Sequence, residues 1–127
     1  MWPMDDTCLA VVEAIRSIRS QVRWKPGKDV AHLEKRRALG HLPAEAEMPE
    51  YDAIVRALVH APEARVFAYR FRDHLYGTVL GPVAGREWLA IFSLAGVMET
   101  AFPPDDAGEY LAQPGHTELG TIAELLT

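Results

Sequence analysis

Arg86-Glu87-Trp88-Leu89-Ala90-Ile91-Phe92-Ser93 and Gly96-Val97-Met98-Glu99-Thr100-Ala101-Phe102, joined through Leu94-Ala95-Gly96, form the stretch whose reading decides the fold. Apolar side chains dominate both runs and turn-forming residues bound them. The segment therefore reads as a β-hairpin, with Pro103-Pro104 as a hard stop. Glu99 and Thr100 are adjacent polar residues, and the pleat sends their side chains to opposite faces. Alternation puts Thr100 on the side shared by Met98 and Phe102, where its hydroxyl serves either as an ordinary β-former or as a site group.

Upstream of the hairpin the apolar period is also 2. Val66 to Arg72 alternates Phe67, Tyr69 and Phe71 with Val66, Ala68, Arg70 and Arg72, which predicts an aromatic core face and a partly cationic face. Asp73-His74 suits a tight turn, Leu75 to Leu80 a second strand, and Pro82-Val83-Ala84-Gly85 the turn into the hairpin. Before Arg65 the period is helical. Cys8, Val11, Val12, Ile15, Ile18 and Val22 mark a first amphipathic helix, which Asp5, Asp6 or Thr7 can cap and Trp24-Lys25-Pro26-Gly27-Lys28 breaks. Asp29 is expected to cap a second helix that stops at Gly40. Pro49 opens a third, with Tyr51, Ile54, Val55 and Leu58 as its apolar stripe.

After the hairpin, Asp105 or Asp106 can cap a brief helix through Tyr110 and Leu111. Gln113-Pro114-Gly115-His116 reads as a loosely held loop, and Thr121 to Glu124 has capping-box spacing with few residues to follow. The sum is an α+β fold with N-terminal helices packed on a four-stranded antiparallel β-meander. One domain spans residues 1–127: a helical part 5–62, a sheet 65–102 and a C-terminal short helix and tail 105–127.

Charge is segregated along the chain. Residues 16–72 hold twelve of the thirteen basic groups against seven acids, a balance of +5, whereas residues 73–127 hold only Arg86 against eight acids, a balance of -7. Such a chain can present a basic face to a polyanion, unless folding mixes the blocks. No apolar run long enough for a membrane span and no signal-peptide pattern is seen, so no membrane partner is expected. The single Cys8 leaves no internal disulfide, and a cytoplasmic setting is the simplest reading.

Several chemistries lack their residues. The five histidines show no metal-ligand spacing, so no metal is expected; Walker, GxGxxG and GxSxG motifs are absent, so no nucleotide cofactor or triad is expected either. Cys8 lies on the apolar stripe of the first helix, a core position rather than a nucleophile's. What remains is work on an anion by His, Arg, Lys and hydroxyl groups. His32, Lys35 and Arg36 stand at i, i+3 and i+4 of the second helix and share one face. Cations beside an imidazole disfavour its protonated form and keep it available as a base. RNA cleavage by its own 2′-OH requires such a base, an acid for the leaving oxygen and cations for the phosphorane.

The order of a helical His-Leu-Glu-Lys-Arg-Arg (His32 to Arg37), a third helix and a meander ending in Gly96 to Phe102 resembles the small ribonucleases grouped as barnase, EndoU, colicin-type and RelE-like domains. The resemblance covers roughly residues 29–104. It implies a metal-independent endoribonuclease, such as the toxin of a toxin–antitoxin or phage-related system, with RNA as substrate and a cognate antitoxin or immunity protein as partner. On that resemblance His32, Arg36 and Thr100 are catalytic, while Lys35, Arg70 and Arg72 bind substrate. The sequence departs from the group in its acidic balance, in Phe102 where a tyrosine is usual, and in a first helix outside the match. A different class stays open: a non-catalytic interaction module, such as an antitoxin, immunity protein or phage-associated adaptor, using the acidic C-terminal third or apolar Trp2, Trp24 and Trp88.

Overall fold

A computed structural model describes residues 5–126, which form five helices and six strands. In chain order these are α1 (Asp6–Ser20), β1 (Arg23–Trp24), α2 (Lys28–Ala38), α3 (Met48–His60), β2 (Arg65–Phe71), β3 (His74–Val83), β4 (Arg86–Ser93), β5 (Val97–Phe102), α4 (Ala107–Leu111), β6 (His116–Thr121) and α5 (Ile122–Leu125). The class is α+β, but the sheet is not a four-stranded meander. It has six strands in the order β1-β5-β4-β3-β2-β6, with β1 parallel to β5 and the other pairs antiparallel. Helices also follow the sheet, so they are only partly N-terminal.

Two short segments account for the difference. Arg23-Trp24, expected as the end of the first helix and the start of its break, lies beside Val97-Met98, because Trp24 packs its ring on Tyr51 at 4.8 Å and donates Nε1–H to Asp52 at 2.7 Å. His116–Thr121, expected as a loose tail, pairs with β2 because its far end is anchored: the N–H groups of Ile122 and Ala123 donate to the carbonyls of Ala64 and Pro62. The capping box of Thr121 and Glu124 then closes α5.

The helix ends follow their capping chemistry. Asp5 accepts from Cys8 N–H and starts α1, Glu47 and Glu50 form a capping box on α3, and Asp106 caps α4. α2 is capped at Gly27, two residues before the expected Asp29, and begins at Lys28; Gly27 lies in the left-handed region (φ 84). The turn between β3 and β4 is tight: Ala84 and Gly85, both at positive φ, link the two strands, so β3 extends through Val83.

The sheet has two covered faces. Val66, Ala68, Val79, Ala90, Phe92, Met98 and Ala101 join the buried stripes of α1 and α3 in the main core. Phe67, Leu80, Leu89 and Ile91 form a second cluster on the opposite face, capped by Phe102 with Ala107, Tyr110 and Leu111 of the α4 segment. The expected division of β2 is thus corrected. The Val66/Ala68 side carries the main core, and the Phe67/Tyr69 side lies under the later helix. Trp88 is buried and Trp24 is packed, so neither offers an exposed apolar surface; Trp2 lies outside the described residues. No helix among the described residues is long and apolar enough to cross a membrane.

Candidate functional site

The site begins with an irregularity in β5. Ile91 faces Thr100 but Phe92 faces Met98, so Glu99 is an extra residue and the strand bulges there. The bulge breaks the expected alternation. Met98 enters the main core, whereas Thr100 and Phe102 go to the opposite face with Ile91 and Leu89.

β1 covers the outer edge of β5 only at Val97 and Met98. Past that point, side chains from the helices stand in for a missing strand. The buried Tyr51 hydroxyl donates to the Ala101 carbonyl and accepts from the Ala101 N–H at 3.3 Å. Burial pushes the Tyr51 phenol up to about 12, against the Ala101 backbone, Arg36 and a Thr100 hydrogen bond that favour its ionised form. The Thr100 hydroxyl stands 3.4 Å from His32 Nδ1.

α2 leans on this edge with Leu33 in the core and its basic face turned to Thr100. His32, Lys35, Arg36, Leu39, His41, Thr100, Phe102, Pro103, Pro104 and Asp105 line one cleft of about 610 Å³. His32 is half-buried, Lys35 exposed, and Arg36 only 4% exposed. The Arg36 guanidinium lies 5.7 Å from the Phe102 ring centroid and bonds His41 Nδ1 through Nη1 at 3.2 Å. Its Nε is buried without a hydrogen-bond partner. Among the described residues the ion pairs are Arg16–Glu13, Lys25–Glu99 and Arg65–Glu118, so no carboxylate neutralises Arg36. A buried cation normally requires a counter-charge.

The protonated form of both imidazoles is disfavoured. Burial lowers His32 first, and Lys28, Arg36 and Lys35 lower it further, against the Glu99 carbonyl. Burial likewise lowers His41, with Arg36 and Arg86 adding to the effect and Asp105 opposing it. His41 reads from sequence as an ordinary loop residue, yet a signal for its place exists. Gly40 (φ 74) ends α2 in a Schellman turn, with Gly40 N–H on the Arg37 carbonyl and His41 N–H on the Arg36 carbonyl. That turn folds the residue after the glycine back against the last helical turn, where Arg36 stands.

Of the six residues expected at the site, the structure brings together His32, Lys35, Arg36 and Thr100 and leaves out two. Arg70 lies on β2, three strands and about 14 Å from Thr100 by interstrand spacing. The register Thr100–Ile91–Thr78–Phe67 puts Thr100 on the Phe67 face and Arg70 on the other. Arg70 lines a separate hollow with Asp5 and Gly115. Arg72 is in the turn after β2 at φ 57, its guanidinium over Phe71. The basic block as a whole is dispersed: Arg19 donates to Val59, Arg23 to Ser17 and Ala95, and Arg37 to Ala46. Among the described residues no three His, Cys, Asp or Glu side chains are grouped as metal ligands. No protein-family model matches the chain, and neither curated proteins nor solved structures give a match.

Proposed function

We propose that this cleft is the active site of a metal-independent endoribonuclease. One observation carries the reading: a buried arginine with no carboxylate partner stands in the same cleft as an imidazole linked to Thr100. A phosphodiester supplies the missing counter-charge, and guanidinium presents a planar fork to its oxygens. In this reading the Thr100 hydroxyl, 3.4 Å from His32 Nδ1, accepts the Nδ1–H and leaves Nε2 as the base.

In the reaction His32 Nε2 removes the proton of a ribose 2′-OH. The 2′-oxygen bonds to the adjacent phosphorus, the bond from phosphorus to the 5′-oxygen breaks, and the departing oxygen takes a proton from solvent. A 2′,3′-cyclic phosphate and a 5′-hydroxyl result. Arg36 and Lys35 offset the charge that builds on the non-bridging oxygens. The resemblance to small ribonucleases supports the same assignment for His32, Arg36 and Thr100. Arg70 and Arg72 drop out of it on distance and facing.

The test is an oligodeoxynucleotide carrying a single ribonucleotide, incubated with the protein in chelator. The proposal expects one cut, 3′ of the ribose, and a cyclic phosphate end. Equal cutting of the all-deoxy control, or no cutting of a panel covering all four bases, would reject it.

A further inference from the structure

The two imidazoles of the cleft have different surroundings, and hydrogen-bond inventory separates their roles. An arginine has five N–H donors and no acceptor. The Arg36 Nη1 contact at 3.2 Å therefore requires a lone pair on His41 Nδ1. A neutral ring with a bare Nδ1 carries its proton on Nε2. That nitrogen has no hydrogen bond within the protein among the described residues, and the ring lines the cleft. His32 Nδ1 faces a hydroxyl that can donate or accept, that of Thr100, and the proposed ribonuclease reading makes it the converse case, with the proton on Nδ1.

Protonating His41 would place a second proton against Arg36 and break their bond. The groups facing the ring are Arg36 and Lys35 of α2, Arg86 of β4 and Asp105 after β5, three cations to one acid. His41 is thus poorly placed to shuttle a proton and well placed to donate one fixed hydrogen bond.

We propose that Arg36 and His41 form a preset receptor for a phosphoryl or sulfuryl oxyanion, in which His41 is locked as the neutral Nε2–H tautomer and proton transfer is left to His32. Arg36 supplies the charge and His41 the direction. The Schellman turn at Gly40 holds both on one rigid corner, so little reorganises when the anion arrives. The receptor shares its cleft with the proposed ribonuclease site, and the assignment of proton transfer to His32 rests on that reading. Anion binding itself does not.

The full chain, labelled with 15N at histidine, tests it with inorganic sulfate, an anion that stays doubly charged from about pH 6.5 to 8. Two-bond 1H–15N correlations should show His41 with a protonated Nε2 and bare Nδ1 across that range, and His32 with the reverse pattern. Sulfate should shift the His41 Nε2–H signal saturably, with an affinity constant within about twofold over the range. His41→Ala should weaken binding about tenfold, the loss expected for one hydrogen bond to a charged partner, while its amide spectrum stays dispersed as in the wild type. An Nδ1–H tautomer at His41, an affinity that falls steadily as pH rises, or unchanged binding in His41→Ala would overturn the proposal. RNA cleavage without sulfate binding removes the receptor and keeps the enzyme. Sulfate binding without RNA cleavage does the opposite.

Discussion

Replacing Tyr51 by Phe should destabilise the protein through two backbone groups rather than through packing. The ring is fully buried against Trp24 and its volume is conserved. What disappears is the hydroxyl that serves both the carbonyl and the N–H of Ala101 on the open stretch of the β5 edge. Each buried backbone group left unpaired costs about 1–3 kcal/mol, so the pair should cost about 2–6 kcal/mol. With an unfolding entropy of ~2.1 cal/mol/K per residue over 127 residues, that loss lowers Tm by about 8–22 °C. Urea unfolding followed by far-UV circular dichroism reads the free energy, and calorimetry reads Tm.

The same phenol gives a pH signature. Its folded value is pushed up to about 12, so the unfolded chain ionises first. The stability is complete below pH ~10, the unfolded value, and is lost as pH rises through the folded one. Tyr51→Phe should flatten that alkaline loss. A cost below about 0.5 kcal/mol, or an unchanged alkaline limb, would refute the view that this hydroxyl closes the edge on which Thr100 sits.

On the acid side, His32, His41 and His116 are all lowered, chiefly by burial, so the folded state binds fewer protons. Stability should be complete above about pH 6.5 and decline as pH falls through the lowered values; an urea midpoint that is flat from pH 7.5 to 5 would contradict this. In Gly77→Ala the new Cβ would stand 2.3 Å from Cε2 of the fully buried Phe92, so a loss of ~1–3 kcal/mol is expected by denaturant titration, and a neutral result would show that the core gives way there. Gly115→Ala meets the Arg70 carbonyl at 2.3 Å with φ 106, so β6 should detach locally. Hydrogen exchange should then accelerate over residues 116–121 while β4 stays protected. Trp24→Phe removes the 2.7 Å bond to the Asp52 carboxylate and should cost ~1.5–3 kcal/mol in the same unfolding assay; an unchanged midpoint would mean that β1 is held by backbone pairing alone.

Much of this fold is legible in the chain because period and punctuation agree. The stripes of α1 and α3, the Gly40 stop and the four longer strands each follow from local pattern. β1 and β6 do not, because two residues beside a proline and a Gly-containing tail have no period of their own. They are strands only because Trp24 reaches Tyr51 and Asp52, and because Ile122 and Ala123 reach the backbone of residues 62–64. The site shows the same division. The i, i+3, i+4 spacing of His32, Lys35 and Arg36 puts them together whatever the tertiary fold. Linking that face to Arg70 depended on strand facing, and one bulge at Glu99 reverses the side on which Thr100 emerges. A single inserted residue leaves no mark in an apolar run of this length. His41 was within reach of a local argument, since a glycine-ended helix returns the next residue to its last turn.

The measurement that bears most directly on the whole account is cleavage of mixed cellular RNA in chelator by the wild type, His32→Ala and Arg70→Ala, purified identically. The account predicts metal-free cleavage by the wild type, a loss of about 100-fold or more in His32→Ala, the contribution of a general base, and activity within about twofold in Arg70→Ala. A wild type that leaves RNA intact, or a His32→Ala protein that cuts as fast as the wild type, would contradict it.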